Sequence, residues 1–421
     1  MRHSIASDDT AAGQNFNSAN TATEGATRGY ERWGVHKLAR LLGNPRISIT
    51  LWDGYCVSPD GEDSVGTVHI RNRQALNQLF LKGDVAFGDQ FSAGGIEAEG
   101  DLVDILFELY VAQTRSESNF KSIGDFIYKP GPRRNTLEGS RDHIHHHYDI
   151  GNDFYRLWLD QEMQYTCAYF PEEDMTLEAA QQAKLDHICR KLQLKAGDRV
   201  VEAGCGWGSL ARHMAVNYGA QVTAWNISRE QVEFANERAR AEGFDKLVRY
   251  VEDDYRTISG EYDVFVSVGM LEHVGKQNYA ELGRVVDRCL VPAGRALIHT
   301  IGRNRPKLMN AWTEKRIFPG AYPPTLREMM DILEPYNFSV LDVENLRLHY
   351  ARTLEHWQAR YNQAVDEVIK MFDQDFSRAW QLYLAGSVAA FLSGSLQLFQ
   401  VLFARQRNND IPWSRSHQYR S

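Results

Sequence analysis

The sequence predicts an α/β protein, a doubly wound sheet with a smaller α/β unit in front of it. Three observations carry this. Strand-like and helical segments alternate from Thr176 onwards over roughly 130 residues, the rhythm of parallel strands joined by right-handed crossovers. A glycine-rich turn, Gly204-Cys205-Gly206-Trp207-Gly208, sits between the first of those strands and a helix. The 421 residues exceed one ordinary domain and suit two.

Composition narrows the function classes. Hydrophobic residues at 43% and charged residues at 24% are those of a globular chain with a sizeable core. A net charge of −8 argues against broad nucleic-acid binding, which needs a basic face, although a local basic patch for anionic headgroups remains compatible. The five cysteines are scattered with no C-x-x-C pair, which points away from metal or disulfide frameworks and towards a reducing cytosol. Residues 1–28 are polar, without an apolar signal-peptide region, and read as a disordered leader.

Residues 29–113 read as the smaller unit. Ile47–Leu51 and Thr67–Ile70 are strand-like, RQALNQLFL has helical spacing, AFGDQFSAGGIEAEGD reads as strand and turn, and DLVDILFELYVAQ closes as an amphipathic helix. No catalytic constellation falls here, so scaffolding, dimerisation or lipid docking is the expectation. Residues 114–140 form a linker around Pro130, Gly131 and Pro132. Its Lys129, Arg133 and Arg134, with Arg141, suit either phosphate headgroups or an ordinary solvated loop.

The larger unit spans 141–421. In order it reads LEAAQQAKLDHICRKLQL (helix), RVVEA (strand), a helix after the glycines, AQVTAWNIS (strand), REQVEFANERARAEG (helix), LVRYVEDD and EYDVFVSVGML (strands), NYAELGRVVDRCLV (helix) and GRALIHTIG (strand). Ala379–Ala404 is apolar enough to suggest a membrane span, but Gln381, Gln397 and Gln400 interrupt it. Gly386 and Gly394 divide it into two expected buried helices.

The glycine turn carries the most chemistry. Glycine lets a backbone approach a ligand closely, and the following helix offers free N–H groups. The spacing departs from the G-x-G-x-x-G of dinucleotide folds, and no phosphate-loop lysine follows. With Glu202 at the preceding strand end, Gly204, Gly206 and Gly208 resemble the S-adenosylmethionine loop of class I methyltransferases, in which the acid approaches the methionine end. The next strand lacks the usual ribose-clasping acid, leaving Asn226 and Gln231 as neutral substitutes. Asp253 and Asp254 stand where an acceptor for the adenine amino group belongs, or cap the following turn.

Further segments extend the likeness. HHYDIGNDFYRLWLD, MQYTCAYF, EAGCGWGSLA, SVGMLEHVG, LIHTIG and HYARTLEHW resemble, in order, those of the cyclopropane-fatty-acyl-phospholipid synthase family, which includes the mycolic-acid cyclopropane synthases. The resemblance implies a Rossmann-like class I methyltransferase domain and methyl transfer from S-adenosylmethionine to the cis double bond of a phospholipid acyl chain. A carbocation then loses a methyl proton to a bound bicarbonate ion and closes a cyclopropane. The bicarbonate residues carry over as the side chains of Cys167, Glu272, His299 and Tyr350 with the backbone of Ile301, and Tyr165 resembles a residue contacting the methionine part. It further implies a cytoplasmic protein peripheral to the inner face of the membrane, and a possible homodimer.

Taken singly, each of these residues has a plainer reading: a small buried thiol, a core tyrosine, a strand-end histidine. The run His143, His145, His146, His147 lacks partner ligands at metal spacing. Tyr148, Gly151, Asn152 and Phe154 are expected to cover the cofactor. Departures from the family pattern, Glu202 for Asp, Asn226 for Thr and the uncharged FLSGSLQLFQVLFARQ segment, leave open a methylene- or methyl-branched product without ring closure.

Overall fold

Two sheets organise the computed structural model, which describes residues 24–116 and 150–419 except 60 and 62. In the smaller sheet, Ser48–Leu51 (β1), Cys56–Val57 (β2), Thr67–Ile70 (β3) and Ile96–Glu99 (β4) run in the order β2-β1-β3-β4, with only β1 and β3 parallel. Ile49, Leu51, Val68 and Ile70 alternate onto the buried face. Helices Gly29–Leu41, Arg73–Lys82, Asp84–Ser92 and Leu102–Ser116 accompany the sheet.

Asp84–Ser92 is a helix where the sequence suggested strand and turn. Gly83, at φ 52°, ends one helix and starts the next. A Cβ on Gly88 would fall 2.4 Å from the Trp312 ring, so the glycine lets that indole seat against the helix. A distant packing contact thus overrides weak local preference.

The larger sheet has seven strands: Arg199–Ala203 (β5), Gln221–Asn226 (β6), Val248–Glu252 (β7), Tyr262–Val268 (β8), Leu290–Gly302 (β9), Phe338–Asn345 (β10) and Gln397–Arg405 (β11). Their order is β10-β11-β9-β8-β5-β6-β7. β5 to β9 are mutually parallel, whereas β11 runs antiparallel to both β9 and β10. Helices of this unit begin at local signals. Thr176 and Ser228 accept main-chain N–H bonds as caps of Leu177–Lys191 and Arg229–Glu242.

β11 corrects the second of the two expected helices. Helix Gln374–Leu392 ends before Gly394, and the apolar run that follows enters the sheet with both faces covered. A short, continuously apolar run has no period to separate strand from helix. Among the described residues, no helix is long and apolar enough to cross a membrane.

One apolar cluster joins both units, running from Val35, Ile49, Ile70 and Leu76 through Ile105 and Leu106 to Phe154, Trp158, Trp380 and Leu384. Arg378 stitches the joint by donating to the carbonyls of Phe91 and Ile96 at 2.7 and 3.1 Å.

Candidate active site

From β5 the chain moves outward to β6 and β7, then returns to place β8 and β9 on the other side. Such a switch point opens a crevice beyond the carboxyl ends of the central strands, and Glu202 and the glycine turn lie there on β5. At Gly208 (φ 85°) a Cβ would meet the Tyr250 hydroxyl at 2.6 Å, so packing demands glycine. At Gly206 (φ 54°) a Cβ would meet nothing within 4 Å among the described residues, which leaves the backbone open to a ligand. Gly204 completes the turn.

The surrounding polar groups fall into two kinds. Asn226 is spent holding the turn, donating to the Gly206 carbonyl at 3.2 Å and to Gln231 Oε1 at 2.7 Å. Asp254 is a cap, accepting the Arg256 main-chain N–H at 2.9 Å and its guanidinium at 2.8 Å. Asp253, half-buried, accepts from the Asp254 N–H at 2.7 Å. By contrast, buried Glu202 Oε2 and Gln231 Nε2 have no hydrogen-bond partner among the described residues. Burial pushes the Glu202 carboxyl up to about 8 against the pull of Lys184. An unpaired carboxylate oxygen, an unpaired amide donor and open backbone at Gly206 fit S-adenosylmethionine, whose ammonium donates and whose ribose oxygens accept.

A second cluster lies beside it, knitted by main-chain bonds. The Ile301 N–H donates to Glu272 Oε1 at 2.5 Å, and the Gly269 N–H donates to the His299 carbonyl at 2.9 Å. Ile301 of β9 faces Leu398 of β11, whose carbonyl accepts the Leu346 N–H. The Leu346 carbonyl in turn accepts the Tyr350 N–H at 3.1 Å and the Cys167 thiol at 3.9 Å. All five residues singled out by resemblance are therefore within a few bonds of one another.

Their electrostatics are those of a dry site. Burial pushes Glu272 up to about 7, against the Ile301 N–H and Thr300 hydroxyl. Burial pushes His299 down to about 3, helped by the charges of Lys184 and Lys191. Burial raises the Cys167 thiol, which stays protonated. Glu272 Oε2 and His299 Nε2 are buried without partners among the described residues, and a free carboxyl oxygen and a free ring nitrogen suit a bicarbonate ion, which both donates and accepts. Tyr350 packs on Phe391 at 4.5 Å, while the Tyr165 hydroxyl meets that of Tyr383 at 2.7 Å amid Tyr155, Trp158 and Trp357.

Phe154 differs from its expected role. It is fully buried amid Tyr155, Trp158, Tyr361, Phe372, Phe376 and Trp380, a core residue rather than a cover. Asn152 accepts from the Trp207 indole at 2.7 Å and braces the glycine turn. Tyr148, Lys129, Arg133, Arg134, Arg141 and the histidine run lie outside the described residues. Among the described residues, no group of His, Cys, Asp or Glu side chains is placed to hold a metal.

Lys184 was not anticipated. It is fully buried, donates to Gln164 Oε1 at 2.8 Å and Thr166 Oγ1 at 3.1 Å, and its charge is felt by Glu202, Cys167 and His299. Burial lowers it to about 8. Lys191 and Gln400 were also missed. The available signal was Lys184, His187 and Lys191 at i, i+3, i+7, on the stripe a helix buries.

Comparison with known proteins agrees with this geometry. Residues 136–401 match the family described as mycolic acid cyclopropane synthetase. A cyclopropane-fatty-acyl-phospholipid synthase of Escherichia coli K12 is 37% identical over 82% of this chain and 89% of its own. A probable fatty acid methyltransferase of Pseudomonas putida is 35% identical over 89% and 96%. Among solved structures, the mycolic acid cyclopropane synthase CmaA1 complexed with SAH and CTAB superposes with a TM-score of 0.60 at 28% identity, covering 62% of this chain and 97% of that one. The chain therefore belongs to the mycolic acid cyclopropane synthetase family and is an S-adenosylmethionine-dependent methyltransferase of the cyclopropane-synthase type.

Proposed function

We propose that the chain transfers a methyl group from S-adenosylmethionine to a cis double bond of a phospholipid acyl chain and closes a cyclopropane ring. The observation that carries this is that two buried polar atoms, Glu272 Oε2 and His299 Nε2, both lack a partner among the described residues, on segments joined by main-chain bonds and near rings such as Tyr165, Tyr350 and Trp357. When bound, S-adenosylmethionine supplies an electrophilic methyl on a sulfonium, and bicarbonate supplies a base. As the alkene attacks, the carbon–sulfur bond breaks and a carbocation forms on the chain; loss of a proton from the new methyl closes the ring.

The chain's own residues prepare this. Glu202 and Gln231 would hold the cofactor's ammonium and ribose, and Asp253 would accept from its adenine. Tyr165, Tyr350 and Trp357 present ring faces that stabilise positive charge and exclude water. The Cys167 thiol and the Tyr350 hydroxyl border the anion, and Glu272 accepts its hydroxyl proton.

The N-terminal unit is read as the part that docks on lipid or on a second copy of the chain. Tyr30, Trp33, Phe80 and Leu81 stand exposed on it, suiting a peripheral position on the cytoplasmic membrane face.

A second product, a methylene- or methyl-branched chain, needs the same methyl transfer, and the Pseudomonas putida relative is described only as a probable fatty acid methyltransferase. One experiment tests both: cells expressing the chain, supplied with unsaturated lipid and a deuterated methyl donor, followed by mass spectrometry of their fatty acids. Two retained deuteriums in a product that resists mild hydrogenation support the ring. Two retained deuteriums in a product that takes up two hydrogens support the methylene branch, three support the methyl-branched alkene, and no labelled lipid overturns the acyl-chain reading.

A further inference from the structure

His299, Gln400 and Glu344 stand opposite one another across three adjacent strands. Gln400 on β11 faces His299 on β9 and Glu344 on β10. The helix Leu177–Lys191 adds Lys191 and His187 to this row. Lys191 Nζ donates to Gln400 Oε1 at 2.8 Å and to Glu344 Oε2 at 2.5 Å, with Asp342 at 3.8 Å. His187 Nε2 meets the same Glu344 oxygen at 2.7 Å. The far end of Gln400, Nε2, lies 3.1 Å from Nδ1 of His299. Lys191, His187, Gln400 and His299 are buried, so water does not compete for these bonds.

Donor chemistry then assigns the protons. An ammonium only donates, so Gln400 turns its carbonyl to Lys191 and its NH2 to His299. An amide NH2 also only donates, so Nδ1 of His299 accepts. The single proton of the neutral ring sits on Nε2, the atom left without a partner among the described residues. A second proton is opposed by burial and by the charges of Lys184 and Lys191, against the weaker pull of Glu344.

We propose that Lys191 and Gln400 are positioning residues that lock His299 as a hydrogen-bond donor through Nε2, so that it orients bicarbonate and never serves as the base. The inference rests on the bicarbonate-assisted reading above. Glu272 offers the complementary acceptor, since its Oε1 is held by Ile301 and its Oε2 is left over. The anion is thereby turned with its O–H towards Glu272 and a bare oxygen towards His299.

The test uses the full chain labelled with 15N-histidine, with the His299 signals identified by their loss in His299→Gln. The expected spectrum shows His299 protonated at Nε2 and bare at Nδ1 throughout the neutral range. In Gln400→Glu, a carboxylate facing Nδ1 places a proton there and brings the ring into titration. Methyl transfer then falls about a hundredfold as pH rises through that titration, because Nε2 loses its proton. S-adenosylmethionine affinity is unchanged. A wild-type ring protonated at Nδ1, or charged, overturns the proposal. So does a Gln400→Glu rate indifferent to the ring's titration. If that variant fails to fold, the wild-type spectrum decides. The spectrum needs no turnover, so absence of lipid product would sink the function and leave the tautomer assignment standing.

Discussion

The main-chain N–H of Ile301 holds Oε1 of Glu272 at 2.5 Å, fastening a carboxylate that follows β8 to the strand that carries His299. A second bond, from the Gly269 N–H to the His299 carbonyl, fastens the same loop two residues away on β9. Carboxylate and imidazole are thus held in fixed relation before any ligand arrives, the preorganisation that charge-stabilising sites require.

That arrangement strains stability in a definite direction. The folded-state value of Glu272, about 7, lies above its ordinary 4.5. Its stability contribution is therefore full below about pH 4.5 and lost as pH rises through 7. At 1.36 kcal/mol per unit, the loss is about 3 kcal/mol. Glu272→Gln is expected to unfold at higher urea than wild type above pH 7, while losing about a thousandfold in methyl transfer. A variant less stable at alkaline pH, or still active, would contradict the role given to this side chain.

Glu202 makes cofactor affinity depend on pH. Its carboxyl, pushed up to about 8, must ionise to receive an ammonium, so binding releases a proton below that pH. The S-adenosylmethionine Kd is expected to fall about tenfold per unit as pH rises towards 8, then level. Glu202→Gln flattens the dependence and weakens binding. Calorimetry in buffers of different ionisation enthalpy reads the released proton directly.

The glycine turn separates folding from binding. Gly208→Ala forces a Cβ against the Tyr250 ring at positive φ and is expected to cost about 2 kcal/mol or more of stability. Gly206→Ala meets no atom, so its cost is the backbone strain alone, about 1 kcal/mol, but it intrudes on the cofactor. Thermal melts with and without S-adenosylmethionine should show the first variant destabilised and the second failing to gain from ligand.

Thiol chemistry is expected to be confined to one position. Cys56 is exposed, whereas Cys167, Cys189, Cys205 and Cys289 are buried and their thiols raised by burial. Intact-mass analysis after alkylation of the native chain should find a single adduct, absent in Cys56→Ser. Rapid labelling of Cys167 would mean the site is open to water.

The alternation from Thr176 to Gly302 was legible in sequence because each crossover carries its own signals, such as the Thr176 and Ser228 caps. Asp84–Ser92 was not legible, because its helix is stabilised by the distant Trp312. Neither was Gln397–Arg405, because a strand buried on both faces has no alternation. The site divides similarly. The glycine turn declares itself locally. Cys167, Glu272, His299, Ile301 and Tyr350 were found only by resemblance, since β-sheet pairing and main-chain bonds bring them together. Gln400 read as a polar interruption; only the register of β11 against β9 shows that it faces His299.

The insertion of β11 between β9 and β10 bears on biosynthesis. His299 and Gln400 are 101 residues apart, so at ordinary translation rates β9 waits on the order of ten seconds for its partner. Until then the edge bearing His299 is an unpaired, apolar strand, the kind of surface chaperones shield and aggregates recruit. A chain cut short before residue 397 would carry the glycine turn and all five anion-site residues but lack β11, leaving His299 without the amide of Gln400 and β9 as an open edge.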